Sequence, residues 1–327
     1  MSLGGEADLF ARAGLSIVFE ALPFLLLGSL ASGLVEAYLP REKVERLFPK
    51  GRLAATLFGL GLGAITPCCE CGVVYLARRL VAKGVPPGAA LAFMLAGPVV
   101  NPVSILATVV AFRGDVTMAA WRCALVAVAA LTVGYWAGGR PARALLRPLA
   151  AGGPDCACGH DHGHDPDPAA SPFGSLADAL PVAALPSNRR NKLESALGHA
   201  MADFLDMAKV LVFGAMVAAA FKAFMPIRII LAMQGSLPLS VLGLMGLAVA
   251  LSLCSQADAF VAASFSGFAD PARLAFLALG PMLDAKLVLM WRQVFTRRLV
   301  LVLAAVPATI VLVACLALGL VWPGVAP

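Results

Sequence analysis

Eight apolar runs, near residues 14–38, 53–80, 88–112, 117–138, 201–225, 237–265, 272–295 and 299–322, leave this chain few folds to choose from. A helix needs about 20 mostly apolar residues to cross a bilayer. The runs meet that length, and they lack the period-two alternation of a membrane barrel strand. The expectation is an all-α, polytopic helical membrane protein of about eight spans. The runs at 53–80 and 237–265 are overlong and carry polar residues in their middles. Each reads as two half-helices meeting at a break or as a tight hairpin, and hairpins would raise the count to ten. Composition agrees: the chain is 60% hydrophobic and 13% charged, against about 45–50% and 25% in soluble domains.

The net charge of +6 lies mostly in short stretches between the runs. That pattern anchors spans at the lipid surface and does not call for nucleic acid. The run from residue 14 is too long for a cleavable signal and reads as a retained first span. Residues 139–195 form the one long hydrophilic segment, rich in Pro, Gly, Ala and Asp, and read as a flexible linker. They divide a first membrane half, 1–138, from a second, 196–327. Arg140, Arg143 and Arg147 flank one end of the linker, and Arg189, Arg190 and Lys192 the other. The positive-inside rule therefore favours a cytoplasmic linker.

The two halves repeat one another. Ile65-Thr66-Pro67-Cys68-Cys69-Glu70 lies at the same spacing as Leu251-Ser252-Leu253-Cys254-Ser255-Gln256, and Gly97-Pro98 matches Gly280-Pro281. Four spans per half would make the repeats parallel, and five would make them inverted. Repeats in transporters bring interrupted helices together near the midplane, where substrate binds.

Four interrupted segments stand out: residues 66–72, 97–102, 252–258 and 280–286. The first holds Cys68, Cys69, Glu70 and Cys71 behind Pro67. Thiolates are soft ligands, and Cys69 with Cys71 forms a pair to which Cys68 or Cys254 would add a third sulfur. Three sulfurs suit trivalent arsenic or Cu(I), and Zn would want a fourth ligand such as Glu70. Cys254 and Ser255 open the matching break. Glu70 and Asp258 are candidate proton carriers, because an ionisable group at membrane depth is costly without a task. Asn101 and Asp284 are expected to shape the cavity, with Lys286 close enough in sequence to neutralise Asp284. Cys123 and Cys315 are solitary in apolar helices and read as packing residues.

The linker carries Cys156, Cys158, His160, His162 and His164 within nine positions. A Cys/His tract of that density reads as metal binding. No resident cofactor is required on this reading. The metal ion is cargo, or is captured by the linker, and the oligomeric state stays open.

At these residues the chain resembles a predicted permease family that includes the ArsP-like organoarsenical efflux permeases. It looks most like the YraQ-like branch, and a related branch is assigned to Cu/Zn efflux. The resemblance is carried by Pro67-Cys68-Cys69-Glu70-Cys71-Gly72, by Ala96-Gly97-Pro98-Val99-Val100-Asn101-Pro102, by Cys254-Ser255-Gln256-Ala257-Asp258 and by Gly280-Pro281-Met282-Leu283-Asp284. It covers nearly everything but the linker and implies an inner-membrane permease exporting metal or metalloid species. Between the motif cysteines the family commonly has Ser where this chain has Glu70, and Cys68 is an additional thiol. Both changes favour a cation over an uncharged arsenical.

The function expected from sequence is an efflux permease for thiophilic ions (Cu/Zn or trivalent arsenicals), coupled to protons through Glu70 or Asp258; no nucleotide-binding P-loop appears, so ATP is not the in-chain driver. Two alternatives come from other classes. One is a membrane thiol oxidoreductase, although Cys-x-Cys is not the usual Cys-x-x-Cys redox spacing. The other is a membrane metal sensor or scaffold that moves nothing.

Overall fold

The computed structural model describes residues 51–66, 70–147 and 233–321 without interruption, with residues 48 and 49 and scattered helical positions between 10 and 30 and between 197 and 219. At Cys71 the backbone alone is described. Cys68, Cys69 and the linker ligands Cys156, Cys158, His160, His162 and His164 lie outside the described residues.

Regular structure among the described residues is helical, apart from a single bridge between Leu146 and Phe295. The first half contains α1 (Arg52–Ile65), α2 (Glu70–Ala82), α3 (Pro87–Ala96), α4 (Pro102–Ala111), α5 (Val116–Ala137) and the single turn α6 (Ala142–Leu145). The second contains α7 (Leu237–Leu251), α8 (Ser255–Ser264), α9 (Asp270–Leu279), α10 (Ala285–Val294) and α11 (Arg297–Val321). The order α1 to α5 recurs as α7 to α11, each series ending in its longest helix.

The overlong runs are interrupted, as their polar middles indicated. The runs at 88–112 and 272–295 are also interrupted, although their lengths fit single spans. Each yields two helices of 10 residues. Such a piece rises about 15 Å, half of a hydrocarbon core of about 30 Å. The cause is local. Gly97 and Pro98 end α3, and Asn101 and Pro102 restart the chain as α4, with Pro at a position where its missing N–H costs nothing. Among the described residues, α5 and α11 are the helices long and apolar enough to cross a membrane alone.

Small residues set the packing. Helices α1, α3 and α5 pack on one another, as do α7, α9 and α11, and α5 also meets α9 and α11. A Cβ at Gly88 on α3 would collide with the Gly134 carbonyl of α5, so the close α3–α5 approach requires glycine. Val126, Ala129, Ala130 and Val133 occupy one helical face of α5 and are fully buried. Cys315 is fully buried on α11 and packs in the core as expected. The second helix of each half packs on the fourth of the other: α2 on α10, and α8 on α4. This reciprocal exchange is what a two-fold relation between the halves produces, and it brings the interrupted segments together.

The start of the sequence-assigned linker is structured. After α6, the Arg147 amide donates to the Val294 carbonyl at 3.0 Å, and the Thr296 amide donates to the Leu145 carbonyl at 2.9 Å. Residues up to Arg147 thus attach to the α10–α11 junction, beyond the boundary placed at 138.

Candidate functional site

Each interruption restarts as a helix whose first turn carries a polar side chain. Glu70 is the first residue of α2, where a carboxylate faces the positive end of the helix dipole. Asn101 caps α4: its Oδ1 accepts from the Ser104 amide at 2.8 Å, while its Nδ2 donates to the Gly97 carbonyl at 2.8 Å. Asn101 thus forms a clasp that closes the break from both sides. Cys254 caps α8 through Sγ, which accepts from the Ala257 amide at 3.4 Å. Asp284 caps α10, its Oδ1 accepting from the Leu287 amide at 2.6 Å. At the second break Ser252 adopts a left-handed conformation, φ 48° and ψ 45°. That conformation is uncommon for a residue with a side chain, and it turns the Ser252 carbonyl into the interior.

Two contacts join the four helix starts. The Ser104 and Ser255 hydroxyls lie 3.2 Å apart, linking α4 to α8. The Lys286 ammonium donates to Glu70 Oε1 at 2.9 Å and to the Ser252 carbonyl at 3.1 Å, and it lies 3.3 Å from Asp284 Oδ2. Lys286 therefore does not simply neutralise Asp284, its neighbour in sequence. Its shortest partner is Glu70 in the other half, and one ammonium ties together α2, α10 and the break before α8.

Asp258 differs from the other acids. It is buried on α8, and neither carboxyl oxygen accepts a hydrogen bond among the described residues. It fits because residue 280 is glycine: a Cβ there would lie 2.5 Å from Asp258 Oδ2. Arg122, Glu70, Lys286 and Asp284 all act electrostatically on it. Two further buried oxygens, Glu70 Oε2 and Asp284 Oδ2, also accept no hydrogen bond among the described residues, although Asp284 Oδ2 keeps its ion pair with Lys286.

Arg122 is the buried charge of this cluster that sequence reasoning passed over. It lies on α5, 1% exposed. Its Nη1 donates to Thr108 Oγ1 at 2.6 Å, its Nη2 to the Ser255 carbonyl at 2.8 Å and its Nε to the Leu277 carbonyl at 3.2 Å. The guanidinium thus ties α4 and α5 of the first half to α8 and α9 of the second. The signal was present: a single arginine stands in an otherwise uncharged apolar helix, where a charge is costly unless it is paired or has a task.

Chemically, this is a closed ionic interior of three acids and two bases among the described residues, held at helix breaks. A membrane interior tolerates irregular backbone and charge where they serve a pathway. No group of three His, Cys, Asp or Glu among the described residues is arranged to hold a metal ion. A cavity of about 330 Å³, lined by Phe48, Arg52, Ala55, Gly84, Pro86 and Gly138 among others, shares no residue with this cluster.

The predicted permease family ArsP_1 matches residues 8–322, nearly the whole chain. The chain belongs to that family. It is similar to the UPF0718 protein YcgR of Bacillus subtilis, 35% identical over 300 residues that cover 91% of this chain and 92% of that protein. It is also similar to a Streptococcus mutans protein described as a candidate subunit of a two-component membrane permease complex, 32% identical over 306 residues, 93% of each. No solved structure matches. That family is one of predicted membrane permeases, which agrees with the broken helices and buried charges.

Proposed function

We propose that this permease exports thiophilic metal or metalloid cations from the cytoplasm across the inner membrane, in exchange for protons. The observation that carries the reading is the thiol-rich stretch 68–71 running directly into Glu70, the residue that meets Lys286 in the other half. Cys68, Cys69 and Cys71 supply soft ligands, and Cys254, at the start of the matching helix α8, supplies a further one. Ser255 and Asn101 hold the half-helices in register. Asp258 carries the exchanged proton: it is buried, accepts no hydrogen bond and sits among Arg122, Glu70, Lys286 and Asp284. Cys156, Cys158, His160, His162 and His164 collect ions on the cytoplasmic side and raise their concentration at the entrance.

Zn(II) and Cu(I) fit the carboxylate-bearing, thiol-rich motif better than an uncharged arsenical does. Expression in a metal-sensitive host should raise tolerance to one of these ions. The double variant Cys69→Ser/Cys71→Ser should lose that tolerance at an unchanged membrane level. Tolerance retained by the double variant would remove the thiols from the pathway. The Streptococcus mutans relative also points to a second membrane subunit as partner, which copurification from native membranes would detect.

A further inference from the structure

We propose that the Lys286 ammonium is a resident counter-cation occupying the subsite of a transported divalent cation, and that loading proceeds by displacement of this ammonium. The inference rests on the permease reading and specifies how its interior works.

The surroundings of Lys286 have the character of a cation site. Glu70 Oε1 at 2.9 Å, the Ser252 carbonyl at 3.1 Å and Asp284 Oδ2 at 3.3 Å surround its nitrogen. Both carboxylates are buried, and each also has a tie to helix structure: Glu70 opens α2, and Asp284 caps α10 through its other oxygen. One carboxylate oxygen exceeds what the ammonium uses: Glu70 Oε2 is buried and accepts no hydrogen bond among the described residues, a standing cost for a group so placed. Asp284 Oδ2 meets the ammonium as an ion pair at 3.3 Å without an aligned hydrogen bond. A strut built for stability alone would engage both oxygens fully. A site built for a metal ion keeps them, because a divalent ion takes several oxygen ligands at once.

The charge balance points the same way. Among the described residues Glu70, Asp258 and Asp284 face Lys286 and Arg122, so one negative charge is in excess when all five are ionised. Replacing the ammonium by a divalent ion, with Asp258 ionised, brings that set to neutrality. With the ammonium in place, one proton on Asp258 does so. Loading therefore exchanges one lysine charge and one proton for one divalent ion, the proton passing to water. Lysine suits the task because its charge rides on a flexible four-carbon stem and can leave while its backbone stays in α10. Arg122 cannot serve in the same way, since its acceptors among the described residues are two carbonyls and a hydroxyl, with no carboxylate to receive an incoming ion.

The test is equilibrium Zn(II) binding to the purified full-length chain in lipid nanodiscs. The five linker ligands are replaced by serine so that only the interior is read. Lys286→Gln removes the competitor and should bind Zn(II) at least tenfold tighter than the parent. Should that variant fail to fold, Lys286→Arg decides. Its guanidinium holds carboxylates bidentately and should weaken binding at least tenfold at an unchanged melting temperature. Unchanged or weaker binding by folded Lys286→Gln would make Lys286 a strut and overturn the inference while leaving the permease reading in place, as would unchanged binding by Lys286→Arg where it decides. Absence of Zn(II) binding in the parent and in both variants would overturn the inference and the divalent-cargo reading together.

Discussion

Arg122 on α5 donates from Nη2 to the Ser255 carbonyl at 2.8 Å, so a residue of the first half holds the opening turn of α8 in the second. The same guanidinium reaches Thr108 and Leu277. Arg122→Met should leave these acceptors without their donor inside the protein. Lost hydrogen bonds to a charged group cost about 1.5–3 kcal/mol each, so the melting temperature in detergent should fall measurably. Arg122→Lys, which keeps the charge but not the planar fork, should fall less. Equal melting of Arg122→Met and the parent would remove the clasp from the account.

Gly280 leaves the space that Asp258 Oδ2 fills. Gly280→Ala places a methyl group 2.5 Å from that oxygen, closer than real contacts allow, and must displace the carboxyl or the α9–α10 turn. Metal flux should drop at least tenfold with the protein still in the membrane. Parental flux in this variant would mean that the position of Asp258 is not critical.

Proton coupling should run through Asp258. In proteoliposomes, a proton gradient directed opposite to metal movement should accelerate transport in the parent. Asp258→Asn should transport at a rate independent of the gradient, because its amide cannot take up or release the proton. Full gradient dependence in this variant would assign coupling to another group, with Glu70 next in line.

The Glu70–Lys286 pair should behave as a coupled unit. Removing one partner of a buried pair costs about 3–5 kcal/mol. Glu70→Gln should be strongly destabilised, and Glu70→Gln/Lys286→Gln less than the sum of the single variants, by at least about 1 kcal/mol of coupling. Additive losses would show that the 2.9 Å contact carries no energetic weight.

Much of the architecture was legible in the sequence because it is written locally. The apolar runs set the class. The polar middles of 53–80 and 237–265 located two breaks, and Gly97-Pro98 and Gly280-Pro281 marked the other two. The Gly-Pro pairs fall where α3 and α9 end, so these breaks are marked locally, although Pro307 sits inside α11 without ending it. The shared order of landmarks exposed the repeat. Partnerships were not legible in the same way. Lys286 stands two residues from Asp284 and 216 from Glu70, and only the reciprocal packing of α2 on α10 gives the distant carboxylate the shorter contact. Nor does anything local show that the Asn101 amide bridges Gly97 and Ser104 across the break. Arg122 escaped notice for a simpler reason: one charge barely alters the hydropathy of a 22-residue helix.

The central claim, cation export through the thiol and carboxylate interior, is tested most directly by flux into inverted membrane vesicles. Zn(II), Cu(I), As(III) and a methylated trivalent arsenical should each be offered under an imposed proton gradient. The parent should accumulate Zn(II) or Cu(I) in a gradient-dependent manner, in preference to the uncharged arsenical, and Cys69→Ser/Cys71→Ser should not. Equal accumulation by parent and double variant, or none of any of the four by the parent, would contradict the account.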